Sequence, residues 1–244
     1  MFNELKNGLI QSQILYSDTS VIHGFSTRVH GDMRGVTSRH VVKNLLYASS
    51  YRLVAAEQVH GTNVHSVVPK DYGQTVMDVD GLVFDQRASK THALLVIIAA
   101  DCVPLLFADS KRGIVGACHA GWKGTVGGIA AKTVHSMEVR GAKAENIRVA
   151  IGPHICPSCY DVPEDRAGDF QKAFPQTRVT QLSNRRWHVD LGLSNMLQLQ
   201  EAGIHERNID RGDMCTFEQR DTLFSWRRER SKLSGQHMAI IGLR

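Results

Sequence analysis

The 244-residue chain draws 42% of its residues from the hydrophobic set and 22% from the charged set, which is enough apolar material for one large globular core. Its opening residues, MFNELKNGLI, lack the basic start, apolar run and cleavage site of a secretory leader, and no later stretch reaches the roughly 18 uncharged apolar residues of a membrane span, so a cytoplasmic protein with no membrane partner is expected. A net charge of +5, from 29 basic and 24 acidic side chains, is too small for the basic stripe of a nucleic-acid-binding protein but leaves room for an anionic small-molecule substrate.

Along the chain, β-like runs are expected at 21–26, 63–68, 81–84, 93–99, 103–108, 113–118, 147–151 and 237–243, each bounded by Gly, Asp, Asn or charged residues. After Gly124, one helix is expected from the spacing of Val126, Ile129, Ala130, Thr133, Val134 and Met137, which form a single apolar face. A second helix is expected over 191–202, stopped by Gly203. Each is followed by a similar passage, GAKAENIRVAIG and AGIHERNIDRGD, an echo that suggests two related halves. No linker or low-complexity tract divides the chain, so residues 1–244 read as one domain of α/β class with mixed strand directions.

Three polar islands interrupt the apolar background: Gln58-Val59-His60-Gly61, Ala100-Asp101-Cys102 and Cys118-His119-Ala120-Gly121-Trp122. Two of them close apolar strands, where a rigid sheet can aim thiolate and imidazole at one place. Zinc accepts both donors, and three protein ligands with one open position mark a catalytic centre, for which His60, Cys102 and His119 supply the number. The open position would hold a water whose pKa falls toward roughly 7. Asp101 and Gln58 stand beside ligands and could orient an imidazole or a substrate.

The residues alone leave two other readings open. Cys102 could be a nucleophile with His119 as its base. Alternatively, the CxxC pair Cys156 and Cys159 could hold a structural zinc with Cys118 or Cys215. Five cysteines make an odd number for a disulfide framework, and none is expected; with zinc on the trio, Cys156, Cys159 and Cys215 read as buried small hydrophobes. Strand alternation would turn Cys118 away from His119. His154 reads as a hydrogen-bonded loop residue, and Trp122 as either a pocket wall or a helix-start anchor.

QVHG, ADCVPLLFAD, HAGWKG, AIGPHICPSCYDV and CTFEQRDTLFSWRRE resemble, in order and spacing, the signature of the laccase-domain or polyphenol-oxidase-like family, from about Arg52 onward. The resemblance implies a layered α/β fold and a zinc centre on His60, Cys102 and His119. It also implies purine nucleoside chemistry, namely phosphorolysis of adenosine, inosine, guanosine or methylthioadenosine and deamination of adenosine, the work of a transferase and a hydrolase. Arg28 would then hold phosphate, Asp101 would carry the proton in deamination, and Gln58 and Trp122 would meet the substrate. Some bacterial members are instead peptidoglycan editing factors that cleave an amide in aberrant muropeptide precursors; a non-catalytic binding module would need a closed, four-ligand zinc. None of the 12 histidines forms a His-x-His pair, which argues against multicopper oxidation. The match departs at 29–37, where VHGDMRGVT follows Arg28, and at Gln236, where relatives commonly carry arginine.

Overall fold

Apolar runs without polar alternation need cover on both faces. The computed structural model of the chain, which describes residues 2–177, 179–182, 185–212 and 214–244 with the side chains of 36–38 excepted, provides that cover. Strands Ala93–Ala99, Val103–Asp109, Ile114–Ala120 and His237–Leu243 are buried at every position. His237–Leu243 lies between Val21–Phe25 and Ala93–Ala99, antiparallel to both, inside a seven-stranded sheet that also contains Arg52–Ala56 parallel to Ala93–Ala99. Val103–Asp109 and Ile114–Ala120 pair antiparallel, with Leu105 opposite Cys118, at the centre of a six-stranded sheet. A small three-stranded sheet, Asp161–Pro163, Arg186–His188 and Thr180–Gln181, stands apart from these two.

Side-chain alternation sorts the core into three slabs. Leu95, Ile97 and Ile241 of the first sheet face Leu106, Val115 and Ala117 of the second. Leu94, Val96 and Ile240 turn the other way, onto Val42 of helix Val36–Leu45 and Leu46 just beyond it. Leu105, Phe107 and Cys118 turn toward helices Ile129–Glu138 and Leu191–Glu201, meeting Ile129, Val134 and Leu199. The order is helix, sheet, sheet, helices, a layered mixed-sheet α/β fold.

All eight expected strands are present with ends displaced by no more than two residues. The helix expected after Gly124 is instead two, Trp122–Val126 and Ile129–Glu138, broken at Gly127 and at Gly128, whose φ of 82° is left-handed. Its apolar face, Ile129, Ala130, Thr133, Val134 and Met137, is buried on the second piece. The echoed passages are not two halves but one repeated unit: a helix, a left-handed glycine (Gly141, Gly203), a 3-10 turn and a strand. The two strands, Arg148–Ile151 and Ile209–Arg211, pair in parallel with Val149 opposite Ile209. Among the described residues, no helix is long and apolar enough to cross a membrane.

Two buried histidines seal the first sheet. His23 Nε2 accepts the Ser12 N–H at 3.0 Å, and His237 Nε2 accepts the Phe224 N–H at 2.5 Å. Burial pushes each imidazole down to about 4 from its ordinary 6.5. Their neutral forms therefore contribute stability that is complete above pH 6.5 and is lost as pH falls toward 4, up to about 3 kcal/mol per ring. Urea unfolding at pH 7 and pH 4.5 should show this loss, and His23→Gln with His237→Gln should flatten the slope across that window. A slope unchanged in the double variant would assign the acid sensitivity to other groups.

Candidate metal centre

Three passages of the chain from the first sheet to the second converge on one place. They leave Arg52–Ala56 for Val64–Ser66, Thr75–Val76 for Gly81–Asp85, and Ala93–Ala99 for Val103–Asp109. Each contains a non-glycine residue in the left-handed region: His60 at φ 59°, Asp78 at 55° and Asp101 at 92°. Such conformations cost free energy and persist where surrounding contacts over-determine them.

Asp80 supplies those contacts for His60. It is fully buried, and its carboxylate accepts the N–H groups of Val59 at 3.2 Å, His60 at 3.0 Å and Gly61 at 2.6 Å. His119 Nδ1 donates to the same carboxylate at 2.8 Å, and the His119 backbone N–H donates to the Asp80 carbonyl. Since a carboxylate only accepts, a proton sits on His119 Nδ1, so the ring nitrogen available to a metal is Nε2, once it has given up its own proton. Burial opposes charge on Asp80, yet His119 and the loop N–H groups hold its carboxyl below the ordinary range.

The ligand atoms of His60, Cys102 and His119 lie within 4.8 Å of one another. A Cβ on Gly121 would come 2.8 Å from His60 Nδ1 and 3.2 Å from Cys102 Sγ, so only glycine lets the backbone pass this close to them. Burial raises the Cys102 thiol, but the His119 and His60 rings overcome it and bring the group down to about 6. Burial likewise disfavours charge on His119, and Cys102 and Asp80 reverse this, raising it to about 9. A thiolate, two imidazoles and an orienting carboxylate form a donor set that suits a borderline divalent metal. A thiol hydrolase would need only one of the two imidazoles.

The trio lines a cleft of about 810 Å3, together with Gln58, Asp101 and Trp122. Gln58 spends its amide on the backbone of Ile98, accepting at 2.7 Å and donating at 2.5 Å, which continues the ladder between Arg52–Ala56 and Ala93–Ala99. Asp101 accepts from Thr216 Oγ1 at 2.6 Å on one oxygen and from the Arg227 N–H at 2.5 Å on the other. Arg28 does not line the cleft: its guanidinium pairs with Glu229, donates to the Leu223 carbonyl and covers the Phe224 ring. The cationic lining comes from Arg34, Arg39, Lys123, Arg166 and Arg227, of which Arg166 lies 4.2 Å from the Trp122 ring centroid. Tyr160 joins the lining, whereas Arg228 turns inward to the carbonyls of Thr216, Phe217 and Leu223. His154 is buried on the Gly152 carbonyl, and Cys118 sits in the helix-side core, as their sequence contexts suggested. Cys156, Cys159 and Cys215 are not scattered core thiols but a cluster of their own with Glu218.

Residues 25–244 match the model of the family described as multi-copper polyphenol oxidoreductase laccase. The chain belongs to this family. Among its relatives in the laccase family is a protein named purine nucleoside phosphorylase YlmD from Geobacillus stearothermophilus, 36% identical over 204 residues that span 79% of this chain and 73% of that one. Another, from an unknown prokaryotic organism, is named adenosine deaminase RL5 and is 38% identical over 72% of this chain and 70% of its own. The crystal structure of YlmD from Geobacillus stearothermophilus matches with a TM-score of 0.89 at 30% identity, over 100% of this chain and 98% of that one.

Loss of the orienting carboxylate should loosen the centre. Asp80→Asn is expected to weaken divalent metal binding about 10- to 100-fold in chelator competition, with the far-ultraviolet dichroism retained. Unaltered affinity in a folded variant would remove Asp80 from the centre.

Proposed function

We propose that the chain is a zinc-dependent purine nucleoside enzyme, cleaving nucleosides such as adenosine, inosine, guanosine or methylthioadenosine with phosphate and deaminating adenosine. The observation that carries this reading is a three-donor metal centre set in the wall of a cleft whose charged lining has five cations against two acids, Glu57 and Asp101. The names of the relatives support the nucleoside; the cationic excess suits its anionic co-substrate. His60, Cys102 and His119 would hold the zinc, which when bound supplies an open coordination position and lowers the pKa of a water there toward roughly 7. Side-chain axial donors of a blue-copper centre are missing from the described lining, since no methionine is present and the Gln58 amide is engaged by Ile98.

The chain's own residues divide the remaining work. Trp122, Trp226 and Tyr160 give the cleft aromatic faces for a purine. Arg166 takes the phosphate role first assigned to Arg28: it lines the cleft, and its buried Nε has no partner among the described residues. Phosphate oxygen then bonds to the ribose C1′ as the bond to the purine nitrogen breaks; in deamination, water adds at C6 and ammonia leaves. With both oxygens engaged, Asp101 is a positioning residue that fixes the turn bearing Cys102, not the proton carrier.

Chromatography of zinc-loaded protein with adenosine, with and without phosphate, tests the reading. Adenine formed only with phosphate and inosine formed without it are expected, and both should disappear in His119→Ala. Arg166→Gln should raise the phosphate KM about 10- to 100-fold while sparing deamination. No turnover of any of the four nucleosides by stoichiometrically loaded protein, or turnover of a muropeptide amide in their place, would overturn it.

A further inference from the structure

Two turns meet outside the cleft lining. One is the four-residue Cys156-Pro157-Ser158-Cys159, closed by the Cys159 N–H on the Cys156 carbonyl at 3.1 Å; the other is the five-residue Cys215-Thr216-Phe217-Glu218-Gln219, closed by the Gln219 N–H on the Cys215 carbonyl at 3.0 Å. A parallel bridge between His154 and Cys215 sets their register. The His154 N–H donates to Met214, and the Thr216 N–H donates to His154. In this register the Sγ atoms of Cys156, Cys159 and Cys215 and a carboxylate oxygen of Glu218 all lie within 4.8 Å of one another.

Neither packing nor disulfide formation explains this grouping. The three cysteines are free thiols; Cys215 is buried and Cys159 packs against the helix-side core, but Cys156 is half-buried and Glu218 is exposed, so apolar packing does not account for the whole group. Glu218 Oε1 stands 3.7 Å from Cys156 Sγ and 3.6 Å from Cys159 Sγ. A tetrahedral zinc with sulfur at about 2.3 Å and oxygen at about 2.0 to 2.2 Å has ligand-to-ligand edges of about 3.5 to 3.8 Å. Cys215 Sγ already accepts the backbone N–H of Cys156 at 3.3 Å, the kind of outer hydrogen bond that supports a thiolate ligand. Arg228, ion-paired with Glu229, donates at 2.6 Å to the carbonyls of both Thr216 and Phe217 and so anchors the second turn to the helix Trp226–Glu229.

We propose that Cys156, Cys159, Cys215 and Glu218 form a second metal site, a closed four-donor zinc site that joins the two turns and is separate from the centre on His60, Cys102 and His119. With four protein donors and no open position, its role is structural. Thr216, inside the second turn, donates to Asp101 beside Cys102, so this zinc would stiffen the support of the cleft without touching a substrate.

The test counts metal by site in the full-length protein and needs no turnover. After zinc loading and desalting, wild type should retain about two zinc ions per chain, and Cys102→Ser and the double variant Cys156→Ser/Cys159→Ser about one each. With cobalt in place of zinc, Cys102→Ser should keep strong thiolate-to-cobalt charge-transfer absorption, because the trio then has no thiolate, and the double variant should lose most of it. Should the double variant fail to fold, Glu218→Gln at an exposed position should still weaken the second zinc about tenfold or more. The proposal is overturned if Cys102→Ser binds cobalt without charge-transfer absorption. It is equally overturned if Glu218→Gln leaves the affinity unchanged, or if mass spectrometry of zinc-replete protein finds a disulfide among the three cysteines. None of these outcomes depends on whether nucleosides are turned over.

Discussion

A buried carboxylate must find its hydrogen bonds within the protein, and Asp80 finds four: three loop N–H groups and the His119 ring. That requirement folds residues 59–61 around it, turns His60 into the left-handed region and fixes the tautomer of His119. Two of the three cleft donors therefore take their orientation from one side chain that never reaches the cleft. The third, Cys102, is oriented by a parallel device: Asp101, also left-handed, is tied by Thr216 and Arg227 from the far end of the chain. Rigid strands bring the donors near one another, and these two aspartates determine how they point.

The layered arrangement explains why the centre forms at this place. Ala93–Ala99 and Ile114–Ala120 are buried on both faces, and a strand in that position can change character only where it ends. His119 shares the parity of Val115 and Ala117 and so faces between the sheets, whereas Cys118 belongs to the helix-side slab. Polar groups accumulate at the mouth of the gap between the sheets because there the chain crosses from one sheet to the other and leaves their ladders.

Strands such as 93–99 and 237–243 were legible in the sequence because burial on both sides leaves an unbroken apolar run; Cys102 and His119 stood out as donors at two strand ends, but only the family resemblance joined His60 to them in preference to the other readings. Arg52–Ala56 and the helix Glu164–Ala173 were not: the strand is short with an exposed start, and the helix buries only Ala167 and Phe170, too little to impose a period. Asp80 gave a faint signal, a carboxylate directly before the run Gly-Leu-Val-Phe, but its importance lies in partners 19 to 39 residues away that only the crossings bring near. Arg28 misled for a similar reason, since its partner Glu229 lies 201 positions further on. The CxxC pair was visible and Cys215 was one of two partners open to it, but nothing in the sequence pointed to Glu218 as the fourth member.

The position of His237–Leu243 bears on how the chain is made. It separates Val21–Phe25 from Ala93–Ala99 in the sheet, yet it is synthesised about 140 residues after the latter. At ordinary elongation rates the two earlier strands wait on the order of ten seconds for the neighbour that both require. Throughout that interval the nascent polypeptide presents two unpaired, strongly apolar edges, the state in which wrong pairing and aggregation compete with folding. Completion of the first sheet thus waits for this late strand, and the emerging chain is a natural client for chaperones until it slots in.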